Sequence, residues 1–502
     1  MGLARARVGL DNHFTGEPVK AECNEAIDAA KSLGASYADV RVIEYRREGV
    51  ALRNGHPCNL ASGQSFGAGI RVIVNGAWGF ASTNQVDTAS LKATAARAVE
   101  IAKASAQVKK QDVRLAPKPP VEDIWCTPFT IDPFKVPLEQ KLGLLLQIDT
   151  ILRKNPAVKV ASSAMQFARE KQWYMDTDGS FIVQDLVRSG AGYSATAVGN
   201  GEVQIRSYPQ SWGGNHKCTG YEIVHAYDLL GNAERIRDEA VALLTAPACP
   251  SGRMDLILDG PQLALQIHES VGHANELDRV FGYEANYAGR SFMLPELHNR
   301  KGGFKYGSPI VNLVADCTVP GGLATIGYDD DGVRAQRFHV VQNGIHNEWF
   351  TTRETAPLVD REFSNGCSRA EGFNNIPITR IPNLSLMPGE WEYDALIADT
   401  EDGIIMEVNK SWSIDQMRLN FQFGAEIGRV VKNGKITGIV KNPNYQGNTP
   451  EFWGSADAIC NQDHWDLWGV INCGKGQPGQ TAEMSHGGAP TRFRGVEVGI
   501  RG

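Results

Sequence analysis

The sequence predicts a multidomain α+β protein, with a small N-terminal α+β domain, a middle mixed domain and a β-rich C-terminal domain. Three observations carry this. The chain has 502 residues, and at about 100–200 residues per domain that makes two to four domains. Prolines crowd one stretch (Pro117, Pro119, Pro120, Pro128, Pro133 and Pro137), which reads as an extended linker. Beyond residue 308, short apolar runs alternate with turn pairs such as Asp331-Gly332, Asn343-Gly344 and Asn433-Gly434, a pattern of strands and hairpins. The resulting limits are 1–106 for the first domain, 107–137 for the linker, 138–250 for the middle domain and 251–502 for the last.

The elements follow in order. Residues 18–34 read as a helix, with Pro18 in the first turn and Gly34 closing it. Ala38–Val42 alternates as a strand, and Asn75-Gly76 marks a hairpin within Gly69–Phe80. A second helix runs from about 87 to 105, with Asp87 as N-cap and an apolar stripe of Leu91, Ala95, Ala98, Val99 and Ala102. Pro137 opens a third helix that carries Leu138, Leu142, Leu145 and Leu152 on one side. Strands are expected over 157–210, with a turn at Asp178-Gly179, and a helix over 221–246. Met254–Leu258 reads as a strand, and Pro261 starts the helix that contains His268.

Composition narrows the function. Charged residues make up 21 % and hydrophobic ones 42 %, ordinary for a globular protein. Lys and Arg number 50 against 57 Asp and Glu, a net charge of −7, which argues against nucleic acid or an anionic membrane as partner. No apolar run approaches the roughly 20 residues of a membrane span. The stretch Met1–Asp11 lacks the apolar core of a secretory signal. Nine scattered cysteines without a CxxC pair suit a reducing, cytoplasmic setting.

The sharpest motif is His268-Glu-Ser-Val-Gly-His273. A neutral imidazole beside a carboxylate is what a zinc hydrolase uses, the first as ligand and the second to take a proton from water. In the familiar HExxH pattern the two histidines are four residues apart and share a helical face. Here they are five apart and would diverge by about 140° on a regular α-helix. The helix must therefore bulge or end within 269–273, and Gly272 eases such a break. The competing reading is a partly buried helix with two structural histidines. A tetrahedral site needs a third ligand. Glu276, His298, Asp329 to Asp331 and the cysteines, Cys473 among them, are candidates; Glu276 could alternatively accept an imidazole N–H.

Several features have plainer explanations. Asp329-Asp330-Asp331-Gly332 reads as a solvated acidic turn, and Gly67-Ala-Gly69 and Gly474-Lys-Gly476 as turns. Ser485-His486 is a poor nucleophile–base pair because the two residues are adjacent. Trp453, Trp465 and Trp468 suit packing. Arg369 reads as a surface ion pair, with a substrate carboxylate as the alternative partner.

The chain resembles the TldD/PmbA family of metallopeptidases, and in particular its metal-bearing TldD-like subunit. His268-Glu-Ser-Val-Gly-His273 with Glu276 and Asp278 matches that family's HExxxHxxExD element. Ile326–Gly332, Val340–Ile345, Asn472–Gln477, Gly488–Thr491 and Val496–Gly499 resemble its later segments, and Gly34–Val40 and Gly67–Val72 its first domain. The resemblance implies one Zn²⁺ per active chain held by His268, His273 and Cys473, with Glu269 as general base. It also implies a peptide substrate, unfolded or small, and a homodimer or a heterodimer with a related subunit. Two alternatives stand beside this: a tailoring hydrolase for one biosynthetic peptide or amide, and a non-catalytic peptide-binding subunit. The run after His273 and the segment 441–468 depart from the family pattern and bear on the substrate.

Overall fold

The computed structural model describes residues 17–297 and 303–499. The readings of Met1–Asp11 and of His298 lie outside the described residues. The first half is built on one eight-stranded sheet. Helix α1 (Glu17–Ser32) leads into β1 (Tyr37–Arg53), β2 (His56–Val74) and β3 (Ala77–Thr83), and then α2 (Thr88–Ser105). The hairpin at Asn75-Gly76 forms as expected, with both residues at positive φ (51° and 71°). Asp87 caps α2 by accepting from the Ser90 N–H at 2.9 Å.

Strand β4 (Glu122–Cys126) follows, then α3 (Leu138–Leu152), β5 (Val158–Asp176), β6 (Phe181–Gly199), β7 (Glu202–Tyr208) and β8 (Asn215–Lys217). β4 lies inside the proline-rich stretch and pairs in parallel with β6, so that stretch is not wholly extended linker. The helix expected over 221–246 is two, α4 (Ile223–Ala226) and α5 (Leu229–Ala242). They part at Asp228, which sits in the left-handed region (φ 42°) and caps α5 by accepting from the Gly231 N–H.

β1 pairs with β2 along one edge and with β5 along the other, from Asp39↔Asp176 to Arg53↔Ser162. The sheet thus runs unbroken from residues of the first expected domain into those of the second. Its long strands serve two cores. One joins Val40, Val42, Ile70 and Val72 to Leu91, Ala95, Ala98 and Val99 of α2; the other joins Val50, Leu52 and Met165 to Leu145 and Ile148 of α3 and Ile236 of α5. Each such Val, Ile, Leu or Met side chain contributes about 1.5–3 kcal/mol by leaving water. Leu138, expected on the same stripe, is 41 % exposed at the helix entrance.

The second half begins with β9 (Gly252–Leu258) and α6 (Gly260–Ile267); the short helix α7 (Leu277–Val280) lies beyond the motif. A small sheet in the order β12-β11-β10-β15 is made of β10 (Leu313–Asp316), β11 (Arg337–Gln342), β12 (Ile345–His346) and β15 (Leu384–Leu386). Before β15, the two-residue strands β13 (Ser368–Arg369) and β14 (Ile378–Thr379) pair with each other. The main sheet holds β9, β16 (Asp402–Ile414), β17 (Asn420–Lys432), β18 (Lys435–Val440), β19 (Asn444–Asn448), β20 (Ala456–Ile459) and β23 (Thr491–Val498). Its path runs β16-β9-β23-β19-β17, and the β16–β17 pairing closes it into a barrel. The remaining strands, β21 (Asp466–Lys475) and β22 (Gln480–Gly488), form a separate hairpin.

The acidic run 329–331 is not a solvated turn. All three side chains are buried where the two halves meet. Asp331 accepts from Arg71 at 2.7 Å, Asp330 from the Gln172 amide at 2.6 Å, and Asp329 from the main-chain N–H groups of Asp331, Val333 and Ser368. Buried carboxylates require such partners.

Candidate metal centre

α6 is buried along its whole length, and Asp259 caps it by accepting from the Gln262 N–H at 2.9 Å. At His268 the helix widens. Residues 268–272 form a π-turn in which the His273 N–H reaches back to the His268 carbonyl, and His273–Asn275 tighten into a 3₁₀ turn. This is the break that the five-residue spacing demands. It returns both imidazoles to one side, with ring centroids 4.6 Å apart. Side chains take up nearby carbonyls: the Tyr306 hydroxyl donates to Ser270 O at 2.6 Å and the Asn275 amide to Val271 O at 2.8 Å. Gly272 lies against Ile381, where a Cβ would come within 2.8 Å of Cδ1.

Cys473 comes from the distant hairpin. It sits within β21, opposite Ala482, and Gly474 and Lys475, expected in a turn, continue that strand. Its Sγ is 3.5 Å from His273 Nε2, and one donor atom each from His268, His273 and Cys473 lie within 4.8 Å of one another. Two nitrogens and a sulfur around a tetrahedral zinc would be about 3.3–3.6 Å apart; the His273–Cys473 pair meets that spacing, and two imidazoles with a thiol are a donor set that suits this ion. Burial pushes His268 down to about 4 and also lowers His273, although Cys473 and Glu276 beside that ring favour its charged form. Burial alone would raise the Cys473 thiol, but His273 and Arg380 outweigh it and hold the thiol below its usual value.

Around these donors lies a charged frame. Glu276, left open as ligand or acceptor, takes the second place: its Oε2 is 2.8 Å from His273 Nδ1. Burial opposes charge on Glu276, yet Lys475, then His273 and Arg279, hold its carboxyl well below the usual range. Lys475 Nζ is 3.2 Å from Glu276 and 2.7 Å from Asp278. Glu269 points to Arg418, whose Nη1 donates to Oε2 at 2.6 Å. The sequence singles out His486 only as a poor base beside Ser485, not as a neighbour of the motif. Its Nε2 is 2.8 Å from His268 Nδ1, and its Nδ1 is 2.9 Å from Leu384 O. The signal was only its place on the strand paired with β21.

Two candidates lie elsewhere. Asp329 to Asp331 are held at the junction described above. Arg369 is not a surface ion pair: its guanidinium turns inward and donates to Glu483 O at 2.6 Å and Ile381 O at 2.7 Å. It lines a polar cavity of about 350 Å³ with Tyr45, Arg47, Arg188, Glu371 and Glu483. Ile471 and Ala482 of the Cys473 hairpin form part of its wall.

Known proteins place this architecture. The model of the PmbA/TldA metallopeptidase C-terminal domain matches residues 251–499; the models of domain 1 and the central domain match 38–102 and 131–245. A metalloprotease of Methanocaldococcus jannaschii is 28 % identical over 470 residues, covering 93 % of this chain and 98 % of the relative. A metalloprotease of Methanothermobacter thermautotrophicus is 28 % identical over 463 residues, covering 92 % and 95 %. Among solved structures, a proposed modulator of a DNA gyrase from Thermotoga maritima superposes with a TM-score of 0.75 at 18 % identity, over 97 % of this chain and 100 % of that one. TldE from Thermococcus kodakarensis superposes with a TM-score of 0.73 at 14 % identity, over 95 % and 100 %. At those identities the likeness is one of fold. With all three of its domain models matched in order along the sequence, the chain belongs to the PmbA/TldD family of metallopeptidases.

Proposed function

We propose that the protein is a zinc-dependent peptidase acting on unfolded or small peptides, with His268, His273 and Cys473 as ligands and Glu269 as general base. The observation that carries this is the convergence of two imidazoles and a thiol from two distant segments of the chain. Bound zinc would lower the pKa of a coordinated water towards 7 and polarise a carbonyl. Glu269, adjacent to a ligand and braced by Arg418, takes the proton from the attacking water and delivers it to the leaving amine. Glu276 keeps His273 in one orientation by accepting a hydrogen bond from its Nδ1–H. The cavity beside the β21–β22 hairpin is large enough for a short peptide segment, and Arg369 lies in its wall. The protein works in the cytoplasm as a homodimer or with a related subunit.

A second reading, a non-catalytic peptide-binding subunit, is favoured by one observation: the carboxylate of Glu269 is already engaged by Arg418. Zinc content and peptide turnover of wild type, Glu269→Gln and His273→Ala separate the two. The peptidase reading expects about one zinc in wild type and Glu269→Gln, and less in His273→Ala. It expects turnover to fall about 10²–10⁴-fold in Glu269→Gln. Full turnover by Glu269→Gln removes it from the role of base. Wild type that binds peptides yet cleaves none, alone or with its partner, favours the second reading.

A further inference from the structure

We propose that His486 is a positioning residue that selects the tautomer of His268 and so aims the lone pair of His268 Nε2 at the metal. The inference rests on the zinc reading above and extends it to a residue on a different strand. His486 is buried on β22 with both ring nitrogens engaged. Its Nδ1 is 2.9 Å from the carbonyl of Leu384 on β15. A carbonyl can only accept, so His486 Nδ1 carries the hydrogen. In the neutral ring the other nitrogen is then an acceptor. That nitrogen, Nε2, is 2.8 Å from His268 Nδ1. His268 must therefore donate from Nδ1, which leaves its Nε2 without a proton and free to ligate. The opposite arrangement would set the lone pair of His486 Nδ1 against the Leu384 oxygen at hydrogen-bond distance, in a site without solvent to relieve it.

The two imidazoles are thus set by different acceptors. His273 donates its Nδ1–H hydrogen bond to the carboxylate of Glu276, whereas His268 donates its own to a neutral ring. Glu269 and Glu276 already place carboxylates in this buried space, each beside a cation. A neutral acceptor for His268 orients the ring without adding more. The hydrogen-bond relay also ties the π-turn to both the β21–β22 hairpin and the small sheet through β15.

Zinc affinity, measured by competition with a chromophoric chelator, tests this in wild type, His486→Phe and His486→Gln. Phe keeps a ring of similar shape but cannot accept; Gln places an amide oxygen where Nε2 stood. Expected is a 10–100-fold loss of affinity in His486→Phe, with His486→Gln recovering most of it. Wild-type affinity in a folded His486→Phe overturns the proposal, as does an equal loss in both variants. A purely structural role would lower the melting temperature of the metal-free protein and leave zinc affinity unchanged. Nitrogen-15 NMR of metal-free wild type supplies a readout that needs no variant: His268 protonated at Nδ1 supports the proposal, and protonation at Nε2 overturns it. Wild type that takes up no zinc sinks the zinc reading itself, and this inference with it.

Discussion

Arg418 occupies a left-handed position (φ 63°) in the turn between β16 and β17, and from there it donates to Glu269. That turn lies 149 residues along the chain from the motif it serves. The pair restricts the Glu269 carboxylate without touching the three metal donors. Arg418→Met should leave zinc content unchanged and lower kcat/KM about 10–100-fold by releasing Glu269 from its orientation. Parallel metal analysis and steady-state kinetics check this; loss of zinc in the variant would show that Arg418 supports the ligands instead. At this scale the sequence was readable where chemistry is local. His268, Glu269 and His273 stand within six residues, and Glu276 lies three further on. Cys473 could be chosen among the cysteines only through the family resemblance. Arg418 and His486 escaped because nothing in their own neighbourhoods hints at partners 149 and 218 residues away.

The π-turn shows how an element follows from a count of residues. Five positions between ligands cannot share a face of an α-helix, so the backbone widens, with Tyr306 donating to Ser270 O, Asn275 to Val271 O and the Trp453 indole to Ser270 Oγ. Tyr306 is fully buried, and its hydroxyl donates to the Ser270 carbonyl. Tyr306→Phe removes that donor while keeping the ring. It should cost about 1–3 kcal/mol in urea denaturation of the metal-free protein. The same variant should weaken zinc binding, because the turn that sets both histidines loses a brace. Unchanged stability would mean that the carbonyl finds another donor. Capped and periodic elements were visible in advance, α2 with Asp87 being the clearest. The helix expected over 221–246 was overextended because Asp228, which divides it, takes a positive φ that Asp tolerates and the sequence does not announce. The acidic run at 329–331 misled for a related reason. Its polarity signals water, but its partners Arg71 and Gln172 come from the distant first-half sheet.

Across the whole molecule the first-half sheet buttresses the hairpin that carries Cys473. Pairing of β1 with β5, separated by more than a hundred residues, is a long-range choice that local pattern could not reveal, so the unbroken sheet was not foreseen. At its β7–β8 end, Gln210 donates to Gly469 O at 2.8 Å, Asn215 donates to Leu467 O at 2.9 Å, and Asn215 accepts from the Gly469 N–H. His216 sits in this junction. Its ring covers Gly190, where a Cβ would collide with it, and its Nδ1 donates to Gly214 O at 3.2 Å. Its buried Nε2 has no hydrogen-bond partner among the described residues. Burial pushes its pKa from 6.5 down to about 4, so the folded state binds a proton more weakly than the unfolded chain does. The stability that the neutral ring retains is complete above pH 6.5. It drains away as pH falls from 6.5 to about 4, by an amount on the order of 3 kcal/mol. His346, packed between Tyr306 and Trp349 and also pushed by burial to about 4, has the same sign. His216→Asn can still donate to Gly214 O but cannot take up a proton. It should be less stable than wild type at pH 7 because it leaves space against Gly190, and its unfolding free energy should fall less steeply between pH 6.5 and 4. Denaturant titrations of the metal-free protein at intervals across that range compare the two slopes. Identical slopes would mean that protonation of His216 does not oppose docking of the sheet against the hairpin, leaving the other buried histidines, His268 and His346 among them, and the buried carboxylates to govern acid unfolding.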